Sequence, residues 1–248
     1  MTKIITITML VFFVYSNAAF ADEFKIYVLK SEPLGYINAQ GKEVGTHWDY
    51  MKAIADRSGI KMNMKLAPKA RVFYGVKEGT IDAAIFFKSK KLDNQVEYVA
   101  KIRSIKLIAI NRKGLPLNNF QDLKNSSAIG KMRSTFLGKK FDDDPTLKVV
   151  CVNNYDCMIK MLDCKRIDTA TGNSNALAYL INKYSFHESV EYPGITLGVK
   201  EQWLQISKKS KKLSLIPRLK EAVQELQEEG VFDQILAKNI GSRVAKKQ

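Results

Sequence analysis

The chain has 248 residues, 46% hydrophobic and 26% charged, with a formal net charge of +15. That balance excludes a disordered or low-complexity chain and leaves room for one large domain or two small ones. The 40 basic residues are scattered rather than packed into one stripe, so the charge reads as a general surface property and argues against nucleic-acid binding.

Lys3 gives a positive start, residues 4–15 are almost unbroken apolar sequence, and Ala19 and Ala21 place small side chains ahead of Asp22. This is the layout of a secretory signal peptide over 1–21, cut after Ala21. The apolar run falls short of the about 20 residues that span a bilayer. No cysteine near the cut offers a lipid anchor, and no later stretch reads as a membrane helix, so the expected mature protein is exported and periplasmic.

Strands and helices then alternate. Residues 24–29 read as a strand with both faces partly buried. Gly35 and Gly41 bracket a hairpin-like stretch over 36–44. Trp48, Met51, Ile54 and Ala55 recur at helical spacing up to Gly59, which suits a left-handed helix end. Residues 60–66 alternate as a strand, and Val72, Phe73 and Val76 mark a second helix ended by Gly79. Residues 81–87 form a further strand. Beyond a short helix at Asp122, strands are expected over 127–132, 148–152 and 167–171. Helices separate them, one capped by Asn154 and running to about Cys164, one from Ser174 or Asn175 through Tyr184. Two apolar stripes follow, Leu215, Leu219, Val223 and Leu226, then, past Gly230, Val231, Phe232, Ile235 and Leu236. Both read as core-facing helix surfaces. The order implies an α/β protein with parallel strands covered by helices. Gly79 to Ala84 and Lys165 to Ala170 are alike: each leaves a helix and enters a strand through an Ile-Asp pair. That repetition suggests two halves of similar build.

Of three cysteines, Cys157 and Cys164 lie seven apart on one helix, roughly 10 Å, too far to bridge. A Cys151–Cys157 disulfide and three thiols buried in a core are both compatible with the spacing. The two histidines, His47 and His187, are far from the cysteines in sequence, so no metal site is expected and no cofactor is implied. No Gly-x-Ser-x-Gly elbow or His/Cys/Asp set offers catalytic residues. His47 reads as a surface histidine near a loop, Trp48 as core, and Asp49 and Asp82 as structural.

Several stretches in this order resemble one family. Glu32-Pro33-Leu34-Gly35-Tyr36-Ile37 followed by Gly41-Lys42-Glu43-Val44-Gly45 is similar to the opening of periplasmic solute-binding proteins of family 3, the polar amino-acid transporter type. Trp48 to Ala55, Gly79-Thr80-Ile81-Asp82-Ala83, Val96-Glu97-Tyr98 and 226–232 continue the resemblance over nearly the whole mature chain. It implies a type II clamshell, two mixed sheets flanked by helices and joined by a two-strand hinge near 106–111 and 202–207. Lobe 1 would comprise 22–112 plus 206–248, and lobe 2 residues 113–205. The implied role is capture of a small solute between the lobes for the permease of an ABC transporter. A sensory module serving a membrane receptor is the alternative, and a dehydratase-like enzyme is a weaker one. A monomer is the default for a clamshell that opens and shuts.

The chain departs from the family at its ligand hallmarks. An arginine expected shortly after the "D-A" strand is missing from Phe87-Lys88-Ser89-Lys90-Lys91, and Asn173 stands where a lobe 2 carboxylate is expected. The ligand contacts expected instead are Tyr36, Arg71, Phe87, Lys88, Ser89, Arg133, Ser134, Thr135 and Asn173. With three cations among them and no matching carboxylate, they imply an anionic or polar small solute, either not a standard α-amino acid or bound differently from one.

Overall fold

The computed structural model describes residues 23–133 and 135–241, so the expected leader and Ser134 lie outside the described residues. The first half-sheet is built from β1 (Phe24–Leu29), β4 (Met62–Ala67) and β5 (Ala83–Phe87), all parallel, with β1 between the other two. A small ribbon, β2 (Tyr36–Ile37) with β3 (Glu43–Val44), stands apart. Helices α1 (Thr46–Ser58) and α2 (Lys69–Glu78) end at Gly59 and Gly79, both left-handed as their positions imply. The second half-sheet holds β7 (Ile129–Met132), β8 (Val149–Val152) and β9 (Thr169–Asn173), again parallel, with β7 central. Its helices are α3 (Lys139–Asp142), α4 (Tyr155–Asp163) and α5 (Ser174–Tyr184). The Asn154 side chain caps α4 by accepting the Cys157 N–H at 2.6 Å. Two long strands, β6 (Val96–Arg112) and β10 (Val190–Ser207), run antiparallel through both halves, and α6 (Ile216–Glu228) and α7 (Val231–Ile240) close the chain.

The two expected half-sheets are therefore joined in one eight-stranded ladder, β4-β1-β5-β10-β6-β9-β7-β8. The order is palindromic by role: β4, β1, β5 and β10 correspond to β8, β7, β9 and β6. The Ile-Asp repeat explains why. Asp82 donates its N–H to Lys25 O at 2.9 Å, accepts Ser207 N–H on its carbonyl at 2.7 Å, and takes the Lys25 N–H on its carboxylate at 2.8 Å. Asp168 repeats the set with Ala128 O at 2.9 Å, Arg112 N–H at 3.0 Å and Ser127 N–H at 2.7 Å. Each aspartate thus pins the entry of an inner strand to its neighbours on both sides. Burial opposes the charge of Asp168, but hydrogen bonds from Ser127 and Arg112 hold its carboxyl below the usual range.

Each half has an apolar cluster on both faces of its sheet. Ile26, Tyr50, Ile54, Ile85, Leu219, Val223 and Phe232 fill one side of the first half, and Val72, Val76, Ile81, Phe86 and Leu92 the other. Ile110, Met158, Leu162, Ile167 and Leu177 form the larger core of the second half, with Ala109, Ile129, Leu137 and Phe141 on the reverse face. Burial on both faces shows in β5, a continuous apolar run, whereas β1 and β4 alternate. Trp48 packs against the first cluster as expected. A further cluster, Ala178 with Leu236 and Ile240, ties α5 to α7.

Neither the Cys151–Cys157 bridge nor a buried set of thiols is found: all three cysteines are exposed free thiols. Cys151 lies on the edge strand β8, and the Cys157 thiol turns along its own helix to Met161 Sδ at 3.8 Å. No helix among the described residues is long and apolar enough to cross a membrane.

Candidate functional site

Strand register places the site. β5 ends with Phe87 opposite Gln202, and β9 ends with Asn173 opposite Leu107. Between those points, residues 104–106 of β6 and 199–201 of β10 pair with each other and with no other strand. The carboxyl ends of both parallel half-sheets therefore face one narrow waist, two antiparallel strands wide. The crevice outside the carboxyl ends of such strands is where open α/β sheets bind ligands, because loops and helix starts gather there with free polar groups.

Each half contributes loops to this crevice. After β1 the chain turns tightly, with Leu34 and Gly35 N–H both donating to Ser31 O. A Cβ on Gly35 would meet Val28 Cγ1 at 2.7 Å and Leu66 Cδ2 at 2.8 Å, so only glycine lets this loop lie against the sheet. From the loop Glu32 reaches across to α5, bonding Tyr179 Oη at 3.0 Å and the Lys183 ammonium. Tyr36 faces the same helix, its ring centre 6.4 Å from that of Tyr179. Burial and the Glu32 carboxylate push the Tyr179 hydroxyl up.

The other expected ligand residues lie on separate elements of the two halves. Arg71 is exposed in the first turn of α2. Phe87 is half-buried at the end of β5. Arg133 is exposed, its N–H on Val152 O at 2.9 Å, and Thr135 is half-buried with its N–H on Met132 O at 3.1 Å. Two residues are already engaged within the fold. The Lys88 amine lies over the rings of Tyr98 and Trp203, 4.9 and 5.2 Å from their centres, a cation–π arrangement that draws it back along the strand. The Asn173 side-chain oxygen caps α5, accepting from Asn175 and Ala176 N–H at 2.9 and 3.3 Å, which leaves only its amide N–H₂ for other partners. Ser89 accepts on its carbonyl from Tyr98 Oη at 3.4 Å.

Three residues at the waist carry no signal in the sequence. Lys200 is half-buried on β10 with its amine 5.9 Å from the centre of the Phe87 ring. Burial, then repulsion from Lys69, holds that amine below the usual lysine range, against the pull of Asp142. Arg103 on β6 donates to Tyr50 Oη at 3.0 Å. His47, read as a surface residue, is 2% exposed, because the first turn of α1 is drawn under the Pro33–Leu34 carbonyls, which accept the N–H groups of Thr46, His47 and Trp48. Gln202 faces the imidazole, yet short of hydrogen-bond geometry, and neither ring nitrogen has a protein partner. Burial, aided by the Arg103 charge, lowers its pKa from 6.5 to about 4. Among the described residues no group of three His, Cys, Asp or Glu side chains could hold a metal ion.

The sequence matches the family model of bacterial extracellular solute-binding proteins, family 3, over residues 25–242. It matches no curated protein. The fold is similar to the second substrate-binding domain of a putative amino acid ABC transporter from Streptococcus pneumoniae Canada MDR_19A (TM-score 0.70, 17% identity, 87% of this chain and 98% of that one). Substrate-binding domain 2 of Lactococcus lactis GlnP in its open conformation superposes with a TM-score of 0.72 at 16% identity, over 87% of this chain and 93% of that one. The VFT2 domain of Bordetella pertussis BvgS gives 0.70 at 15% identity, over 86% and 91%.

Proposed function

This chain belongs to the bacterial extracellular solute-binding proteins, family 3, and on that premise we propose that it captures a small polar solute between its two halves outside the cytoplasm and presents it to a membrane partner. The observation that carries this reading is the convergence of both half-sheets' carboxyl ends on one two-strand waist. Lobe 1 is residues 22–103 plus 202–248 and lobe 2 residues 107–198, with the bend in 104–106 and 199–201. That places the bend a few residues from the segments expected by resemblance, since 107–111 already pair with β9 and 202–206 with β5. A solute that touches both rims binds the shut form better, and this differential affinity is what closes the clamshell.

Tyr36, Arg71, Phe87, Ser89, Arg133, Ser134 and Thr135 form the rim that meets the solute, and Lys88 and Asn173 support it from their engaged positions. The protein binds rather than transforms its ligand, and the leader over 1–21 directs it to the periplasm. Native mass spectrometry of gently purified protein tests the reading. A bound small molecule, recovered chemically unchanged after release, supports capture, and a steadily consumed ligand contradicts it.

A permease is the first partner in view. The likeness to a histidine kinase sensor domain with similarity to periplasmic binding proteins (TM-score 0.67, 17% identity, 88% of this chain and 97% of that one) favours a second, a receptor that reads the closed state as a signal. Stimulated uptake of the solute by membranes carrying the cognate permease separates the two.

A further inference from the structure

Lys200 stands on the stretch of β10 that has left β9's side of the sheet and not yet reached β5. Its amine lies 5.9 Å from the centre of the Phe87 ring at the carboxyl end of β5, and the charge of Lys69 at the start of α2 repels it. Across the waist, the backbone of 137–138 lies against 197–198: a Cβ on Gly198 would sit 3.3 Å from Leu137 O, and one on Gly138 3.4 Å from Leu197 O. This brings Asp142 of α3 into the field of Lys200. Asp142 is already committed, however. One carboxylate oxygen takes the Lys131 ammonium, and the other accepts Leu137 and Gly138 N–H at 2.7 and 2.9 Å. Among the described residues no carboxylate pairs with Lys69 or Lys200. Lys200, half out of water at the waist, thus feels the exposed Lys69 as a second cation and makes no ion pair of its own. A half-buried cation in such a field is costly to hold unless an anion completes it.

We propose that Lys200 and Lys69 anchor an oxyanion group, carboxylate or phosphoryl, of the captured solute, with the Phe87 ring against its carbon skeleton. The anchor rests on the reading of the crevice as the solute site and adds a ligand class to it. A lysine ammonium holds such a group as a point charge and imposes less geometry than a planar guanidinium, so it tolerates several oxyanions.

Protection of the amines in the wild-type protein tests the anchor. Lysines are acetylated under native conditions and quantified by peptide mass spectrometry, with and without millimolar succinate, citrate, glycerol 3-phosphate or, as the neutral control, glycerol, at constant ionic strength. An oxyanion is expected to slow labelling of Lys200 about tenfold, the size of a charge-assisted hydrogen bond, and Lys69 to a smaller extent. The exposed Lys148 stays unchanged, and glycerol protects nothing. Carboxylate against phosphate arms identify the preferred group. Labelling of Lys200 that no oxyanion slows, or that glycerol slows equally, overturns the anchor. That outcome is distinct from failure of solute capture, which the co-purified ligand reports. Lys200→Gln extends the test: it weakens binding of the protecting anion about tenfold, and unchanged affinity would count against the proposal.

Discussion

Acidification charges His47 in the unfolded chain well before it charges in the folded one. The unfolded imidazole titrates at 6.5 and the buried one at about 4. Above 6.5 both states hold a neutral ring and the group makes no difference. As the pH falls below 6.5 the unfolded state binds the proton first, so stability drops, and the loss is complete once the folded ring also titrates. At 1.36 kcal/mol per pKa unit the full loss is about 3 kcal/mol, of which about 2 kcal/mol has gone by pH 5. Against a typical domain stability of about 5–15 kcal/mol this is a large fraction. Urea unfolding of wild type and His47→Leu at pH 7, 6, 5 and 4.5 measures it. The wild type should lose stability along this curve, and the variant, which has no proton to bind there, should show a slope flatter by about 2 kcal/mol between pH 7 and 5. Parallel slopes for the two proteins would refute the assignment of the acid loss to this ring.

Gly172 has φ of +149°, and a Cβ there would sit 2.3 Å from the Tyr155 ring; Gly172→Ala should cost about 3 kcal/mol in urea unfolding, from backbone strain and overpacking together. Leu162 is fully buried in the core of the second half, so Leu162→Ala should lower stability by about 2–5 kcal/mol on the same measurement. The three exposed thiols should all react with iodoacetamide in native, unreduced protein; uptake of a single label, with two sites released only by reductant, would show a bridge the structure does not contain. Removing the Asn173 cap of α5 as Asn173→Ala should cost about 1 kcal/mol in thermal or urea unfolding, since two backbone N–H groups lose their acceptor.

Much of the architecture was legible because local signals agree with it. Gly59 and Gly79 end their helices in left-handed conformation, Asn154 caps the next helix, and the apolar stripes at Leu219, Val223 and Leu226 face the core. The Ile-Asp repeat was the one sequence trace of two similar halves, and it corresponds to a repeated hydrogen-bond set. Pairwise register was not legible. Residues 96–112 keep a strand pattern throughout, and nothing along them marks where β9 stops flanking the strand, so the waist was displaced by several residues. Side-chain direction at the waist is set by bulges between β6 and β10, which hides Lys200 from any reading of alternation. Lys88 looked available until Tyr98 and Trp203, distant in sequence, were brought over its amine. His47 looked exposed because the loop carbonyls that draw its helix inward belong to a turn whose path depends on Gly35 lying against the sheet.

Small-angle scattering on one preparation, before and after its co-purified solute is stripped by partial unfolding and refolding, tests closure most directly. The radius of gyration should rise when the solute is removed and fall again when it is returned, as the proposed bend at 104–106 and 199–201 requires. A particle of constant dimensions, with the solute bound at full occupancy in one sample and absent from the other, would contradict capture by closure.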